Sequence, residues 1–320
     1  MKIFVAGAAG AIGQRLVAQL VANGHEVTAT TRSSRKFDDL RALGADPVAL
    51  DGLDAAAVGE AVSRAEPDVI VHQMSALAGG NDLKKFDKWF HTTNELRTAG
   101  TKHLLAAADA AGVRKFVAQS YTGWTNPRVG GPVKTENDPL DHDPARWQRE
   151  TIEAIRFVES VVPTAQLEGI VLRYGNFYGP GASDELVSLV KKRKMPMIGD
   201  GAGIWSWIHL DDAAAATVAA VERGDAGIYN IVDDEPAPVC EWLPYLAECV
   251  GAKRPMRLPT WVGRMAAGET TVRWMTEARG ASNSKAKSEL DWHPAWATWR
   301  TGFRHALTDA GTLGTSGTAA

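Results

Sequence analysis

Lys2-Ile3-Phe4-Val5-Ala6-Gly7-Ala8-Ala9-Gly10-Ala11-Ile12-Gly13-Gln14-Arg15-Leu16-Val17-Ala18-Gln19-Leu20-Val21 opens the chain. Its first five residues form a short apolar, partly β-branched run, the pattern of a buried strand. Its last residues place Ile12, Leu16 and Leu20, with Val17 and Val21, on one helical face. Gly7, Gly10 and Gly13 therefore fall where a strand turns into a helix, and that context gives a glycine triplet its meaning. Gly7 makes the tight turn, Gly10 lets the backbone approach a pyrophosphate, and Gly13 lets helix and strand pack closely. The helix start offers unpaired N–H groups and a positive dipole end to phosphates. Ala9, Ala11 and Ile12 complete the loop that would cradle them.

The same alternation continues. Strands are expected at His25–Thr30, Pro47–Leu50, Val69–Gln73, Lys115–Gln119, Gly169–Arg173 and Ile228–Val232. Helices are expected at Phe37–Leu43, Ala55–Arg64, up to Trp89, Asn94–Ala111, Ala145–Val161 and Ala213–Val221, the last capped by Asp211 and Asp212. Repeated β-α-β units with right-handed crossovers predict an α/β fold: a Rossmann-type doubly wound parallel sheet with a smaller C-terminal substrate-binding lobe. The expected division is residues 1–175 for dinucleotide binding, 176–204 and 233–307 for the lobe, and a disordered tail over 308–320. Residues 124–144 are rich in Gly, Pro and Asp and too long for a simple connection, as functional loops often are. Eight of the 11 tryptophans follow residue 200, which suits either an apolar ligand surface or an aromatic core.

Composition narrows the function classes. A net charge of −3 gives no basic field for nucleic acid or an anionic membrane. No apolar run is long enough to span a bilayer and the N-terminus lacks a signal-peptide layout, so a cytoplasmic location is expected. Cys240 and Cys249 show neither disulfide nor metal-ligand spacing, and no metal is expected. The partner expected is a small molecule, with a homodimer left open.

The second strand decides the cofactor. NAD preference usually requires Asp or Glu at its end, to hold the ribose 2′-OH. Here it ends Thr30-Thr31-Arg32-Ser33-Ser34-Arg35-Lys36, without a carboxylate. Beside Thr31, Arg32 can fork onto a 2′-phosphate while Ser33 adds a hydroxyl donor. NADP(H) is expected over NAD(H).

These motifs, with several later ones, resemble the extended short-chain dehydrogenase/reductases of the NAD-dependent epimerase/dehydratase family. Asp51-Gly52-Leu53 sits where that family has an acidic residue near the adenine. Val71-His72-Gln73-Met74-Ser75-Ala76 stands at its strand beside the cofactor, and Asn94 with Gly100-Thr101 at its N-x-x-G-T helix start, with a longer spacing. Leu172-Arg173-Tyr174-Gly175-Asn176-Phe177-Tyr178-Gly179-Pro180-Gly181, Trp207-Ile208-His209-Leu210-Asp211-Asp212-Ala213 and Tyr229-Asn230-Ile231 match three further signatures. The resemblance implies Asp51, Gly52, Met74, Ser75, Gln119 and Tyr174 as cofactor contacts, and Asn176, Phe177 and Tyr178 as substrate contacts.

It also implies a Tyr-x-x-x-Lys pair that this chain lacks. The register puts Trp147 at the tyrosine and Thr151 at the lysine, and no tyrosine lies between Tyr121 and Tyr174. An indole N–H does not exchange protons at neutral pH and threonine carries no charge. Tyr121, just past the fifth strand in this reading, is the substitute acid/base, helped by charge from Lys134, Arg146 or Arg149, with its pKa lowered for the purpose. Ser120 joins it as a catalytic candidate, and Tyr121 and Thr122 as substrate contacts. Two functions remain: a nicotinamide-dependent oxidoreductase or epimerase-like enzyme on a small molecule, or a non-catalytic dinucleotide sensor.

Overall fold

A computed structural model describes residues 1–77 and 85–307, so the expected tail at 308–320 lies outside the described residues. Seven strands form one parallel sheet: β1 (Lys2–Ala6), β2 (Glu26–Thr31), β3 (Asp46–Ala49), β4 (Val69–His72), β5 (Lys115–Tyr121), β6 (Glu168–Tyr174) and β7 (Gly227–Ile231). Their order is β7-β6-β5-β4-β1-β2-β3, the Rossmann order extended by one strand. β1 pairs with β2 on one side and β4 on the other, so the order reverses there. Ligands of such sheets bind outside the strand C-termini at that reversal.

Helices cover both faces. On one, α1 (Ala11–Ala22) packs with α8 (Leu210–Arg223), burying Leu16, Val17 and Leu20 against Ala213, Ala216 and Ala220. On the other, α3 (Ala55–Ala65), α5 (Thr101–Ala111) and α6 (Arg149–Val161) bury Val62, Leu104 and Val158 against Phe4, Ile70 and Phe116. The short α2 (Phe37–Ala42) leads into β3, and α4 (Phe86–Glu95) runs through a π-turn at Leu96–Gly100 into α5.

The lobe packs α7 (Asp184–Lys191), α9 (Val239–Cys249), α10 (Thr260–Thr276) and α12 (Trp299–Ala306) around Trp207, Trp242, Trp299 and Phe303. One segment assigned to it from sequence sits elsewhere. Ala286 on α11 (Ser284–Glu289), with Leu290 and Trp292, packs into the sheet's own core, because these apolar side chains cover the face beside β7. Both cysteines are free. Among the described residues no helix is long and apolar enough to cross a membrane.

The turn after β1 is sterically fixed. Gly7 has φ +91°, and a Cβ there would lie 2.7 Å from the backbone of Gln73. A Cβ on Gly13 would lie 2.5 Å from the carbonyl oxygens of Gly7 and Ala8. Gly13→Ala is therefore expected to cost about 1–3 kcal/mol in urea unfolding. The control is Gly59→Ala in α3, where nothing lies within 4 Å; it should gain about 0.4–1 kcal/mol. Equal effects at the two sites would refute the steric reading.

Candidate active site

The floor of the site is the β1–α1 turn. Thr30, buried in β2, holds it from below: Gly7 N–H donates to its Oγ1 (3.3 Å) and Ala8 N–H to its carbonyl (2.9 Å). Gln14 Nε2 ties back to the carbonyl of Ala9 (3.2 Å). Gly10 is the N-cap of α1, with no side-chain cap and no acidic residue in the first turn. Gly10 and Ala11 are exposed, and a Cβ on Gly10 would touch only Gly7 O, at 3.4 Å. An open, uncapped helix start beside a glycine turn fits a pyrophosphate. Ile12 and Gly13 are buried beneath it.

At one end of this floor, Thr31 Oγ1 accepts from Ser33 N–H (3.2 Å) and turns the chain after β2. Arg32 is exposed and, among the described residues, makes no hydrogen bond or ion pair. Asp51 is exposed and its Oδ1 accepts from Leu53 N–H (3.1 Å), while a Cβ on Gly52 would collide with the Met74 thioether. At the other end, Gln119 Nε2 donates to the Met74 carbonyl (2.7 Å), and Ser75 is exposed. Tyr174 differs from expectation. It is buried, accepts from Gln73 Nε2 (2.9 Å) and bonds Thr217 Oγ1 (2.7 Å), and burial raises its pKa to about 12. Its hydroxyl is used on both sides, so it braces the floor from inside the core. His72 is likewise structural: Nε2 meets the Leu96 carbonyl (3.1 Å), Nδ1 accepts from Met74 N–H (3.2 Å), and burial lowers its pKa to about 4, leaving it neutral.

β5 continues through Tyr121, so Ser120 and Tyr121 are strand neighbours whose side chains point to opposite faces. This corrects the placement of Ser120 beside the substrate. Its Oγ donates to Glu159 Oε1 (2.7 Å) on α6. Tyr121 faces the lobe and donates to Asn176 Oδ1 (2.7 Å), and Asn176 Nδ2 donates to the Ser206 carbonyl (3.1 Å). The expected lowering of the Tyr121 pKa is absent, because burial pushes the phenol up. None of the three cations proposed to help it is bonded to it. Lys134 is held by Val129 O and Asp138, Arg146 lies over the Trp147 ring, and Arg149 is exposed at the start of α6.

The Tyr-x-x-x-Lys positions are closed differently. Trp147 is 45% exposed. Thr151 is buried, donating N–H and Oγ1 to Asp87 Oδ1 (3.0 and 2.8 Å) while accepting from Asn94 Nδ2 (3.0 Å). Asp87, unmarked by any sequence motif, thus serves the N-terminus of α6, where a carboxylate is favoured.

Tyr121 and Asn176 line a small, partly open cleft with Trp124, Trp205 and Trp274. Trp124 and Trp274 stack at 5.6 Å, and Tyr121 lies 5.7 Å from Trp124. Trp124 comes from the long 124–144 loop, which Arg128 fastens to Glu277 (3.2 Å) just past α10. Thr122, Phe177 and Tyr178 do not join this wall. Thr122 is buried with its hydroxyl on Asn126 Oδ1 (3.3 Å), Phe177 packs on Tyr174, and Tyr178 is fully buried against Trp207, His209 and Phe303. His209 rather than Asp211 or Asp212 caps α8, because Asp211 turns to Arg15 (2.8 Å) and Asp212 to the N–H groups of Ala295 and Trp296. No three His, Cys, Asp or Glu side chains among the described residues are grouped to hold a metal.

The profile of the NAD dependent epimerase/dehydratase family matches residues 3–232. The chain belongs to that family. A 3-diazoavenalumate denitrifying reductase of Streptomyces sp. is 43% identical over 309 residues, 95% of this chain and 99% of the relative. A 2-alkyl-3-oxoalkanoate reductase of Stenotrophomonas maltophilia is 29% identical over 266 residues, 79% of this chain and 77% of that one. The UDP-glucose 4-epimerase structure from Thermotoga maritima shares the fold with TM-score 0.76 at 22% identity, covering 98% of this chain and 100% of its own.

Proposed function

We propose that this family member is an NADP(H)-dependent reductase of a small planar aromatic molecule, working without a tyrosine–lysine proton relay. The observation that carries this reading is the cavity wall: Tyr121, Trp124, Trp205 and Trp274 supply aromatic faces, and among the described residues no charged side chain joins them. Gly7, Gly10, Gly13 and the start of α1 would hold the pyrophosphate, and Arg32 with Ser33 the 2′-phosphate. Bound there, a reduced nicotinamide dinucleotide supplies a hydride.

The acceptor that matches is an aryl diazonium group. Reducing a carbonyl by hydride also consumes a proton, which a positioned acid must deliver. Replacing dinitrogen does not: the hydride pair forms the new C–H bond, the C–N bond breaks, and its pair leaves on N₂. Charge balances with no proton from the protein. Aromatic faces also attract a cation. The Streptomyces relative is by name a denitrifying reductase of a diazo compound, which supports the same acceptor. Tyr121 then fixes Asn176 and supplies wall, and its raised pKa is no handicap.

The test follows 4-methoxybenzenediazonium with deuterium-labelled NADPH. The expected result is enzyme-dependent C–D formation with one N₂ per NADPH, and less than about a tenfold loss of turnover in Tyr121→Phe. A loss of about 10²–10⁴, as expected when a general acid is removed, would restore Tyr121 as proton donor. Reduction of carbonyls with the diazonium inert would replace the acceptor. Tight NADPH binding with no turnover on either would leave the dinucleotide-sensor reading, which the missing Tyr-x-x-x-Lys pair favours.

A further inference from the structure

At one end of the lobe, Met197–Ile198 pairs with Arg257–Leu258: Met197 N–H donates to the Met256 carbonyl (2.8 Å) and Gly199 N–H to that of Leu258 (2.9 Å). Two residues separate this pair from Lys191-Lys192-Arg193-Lys194 on one segment and from Lys253-Arg254 on the other. Both basic runs therefore end within about 10 Å of it. α10 sits directly on the pair, since a Cβ on Gly263 would lie 2.6 Å from the Ile198 side chain. Its first half adds Arg264 and carries Trp261 and Met265, four residues apart on one face and 65% and 67% exposed. Met256, beside Arg257, is 46% exposed. All eight cations are exposed, and among the described residues none of their side chains makes a hydrogen bond or ion pair. Residues 191–199 and 251–267 contain no carboxylate. Of those that flank them, Asp200 accepts from Ala202 N–H (3.0 Å) and Glu269 pairs with Arg273. A net charge of −3 hides this basic field, because it averages over the whole chain. Helix dipoles favour the cations at the ends of α7 and α9, but they account for neither Arg257 and Arg264 nor the three bare apolar side chains.

We propose that this face docks on an anionic lipid bilayer, the cations meeting lipid phosphates while Trp261, Met265 and Met256 enter the headgroup layer. Charge complementarity selects this occupant. A second copy of the chain would set the eight cations against the same eight, because a two-fold interface pairs a patch with itself. Protein interfaces are poor in lysine, and four of the eight cations are lysines. A lipid surface draws lysine and arginine alike when four to eight of them border an amphipathic helix, and it takes tryptophan at its headgroup level. The contact is peripheral and needs no membrane-spanning helix. It does not depend on which acceptor is reduced in the cleft.

The test is sedimentation of the full chain with unilamellar vesicles of phosphatidylcholine, alone or with about 30% phosphatidylglycerol. Partition onto the anionic vesicles is expected to exceed that onto phosphatidylcholine at least about tenfold in 0.05 M salt, and to collapse near 0.5 M as the charges are screened. Lys191→Glu, Lys192→Glu and Lys194→Glu combined should weaken anionic binding about a hundredfold, since each cation near such a surface contributes about fivefold. Lys2→Glu, Arg64→Glu and Arg114→Glu combined make the same change in net charge at exposed positions elsewhere and should leave it within about threefold. Trp261→Ser should weaken it about tenfold. No preference for the anionic vesicles, equal loss in the two triple variants, or full binding in Trp261→Ser would overturn the proposal. Capture of polyglutamate or of an oligonucleotide at the same salt, with the vesicles left unbound, would also overturn it and assign the face to an acidic polypeptide or a nucleic acid.

Discussion

Glu159→Gln is expected to lower the unfolding free energy by about 3–5 kcal/mol, the cost of breaking a buried ion pair from one side. The Glu159 and Arg173 side chains are 6% and 4% exposed, and Glu159 accepts from Arg173 Nε (2.8 Å) and Nη2 (2.6 Å) and from Ser120 Oγ (2.7 Å). Arg97 is a second buried cation in the field of this carboxylate. Burial lowers its pKa to about 10 against the attraction of Glu159, and its Nε and Nη1 have no partner. One carboxylate thus answers two buried guanidiniums, and the neutral amide answers neither. Urea unfolding measures the loss. Glu159→Leu combined with Arg173→Met should recover much of it, because most of the cost is the orphaned charge rather than the lost attraction. A loss below about 1 kcal/mol in Glu159→Gln would mean that the pair is solvated in practice. Ser120 and Arg173 are direct partners in the β5–β6 pairing and stand next to the Tyr121–Tyr174 pair, so the cleft should loosen along with the sheet.

The contrast between Ser120 and Tyr121 shows what a sequence reveals of this site. The glycine turn was legible, because its strand and helix are local and each glycine has a local steric cause. The parallel sheet followed from periodicity. The side of the sheet that each residue faces did not. It depended on β5 running two residues further than its apolar run, and the pleat then sent Ser120 to Glu159 and Tyr121 to the lobe. Polar residues that act through distant partners were the least visible. Asp87 and Thr151 are 64 positions apart, and no spacing rule joins them. Tryptophan was ambiguous from the start, and the core reading has clear members. Trp207, Trp242 and Trp299 fill the lobe core, while Trp205 and Trp274 line the cleft. Trp205 belongs to both, since it also packs on Trp207 and Trp242.

The proposed preference for NADP(H) rests on a local stretch, and Arg32→Ala tests it. The substitution is expected to weaken NADPH binding about tenfold to a hundredfold, the value of a charge-assisted fork to a phosphate at an exposed site, while changing NADH affinity less than about threefold. Arg32 sits at the turn that Thr31 Oγ1 and Ser33 N–H shape, one residue beyond β2. The acidic side chains that follow it are already engaged: Asp38 with Arg41 (3.0 Å) and Asp39 with Lys36 (3.1 Å). Among the described residues no carboxylate pairs with the guanidinium, and the strand end from Thr30 to Lys36 carries none. On the proposed reading a 2′-phosphate placed there would find attraction, whereas a 2′-OH would lack a carboxylate acceptor. Because the site is exposed, the NADPH advantage should also shrink with added salt, as the Debye length falls from about 10 Å at 0.1 M to about 3 Å at 1 M. Arg32→Asp goes further: it repels the phosphate and restores the acceptor, so preference should reverse toward NADH. Equal affinity for both cofactors in the unmodified chain, with no response in either variant, would remove Arg32 from cofactor recognition.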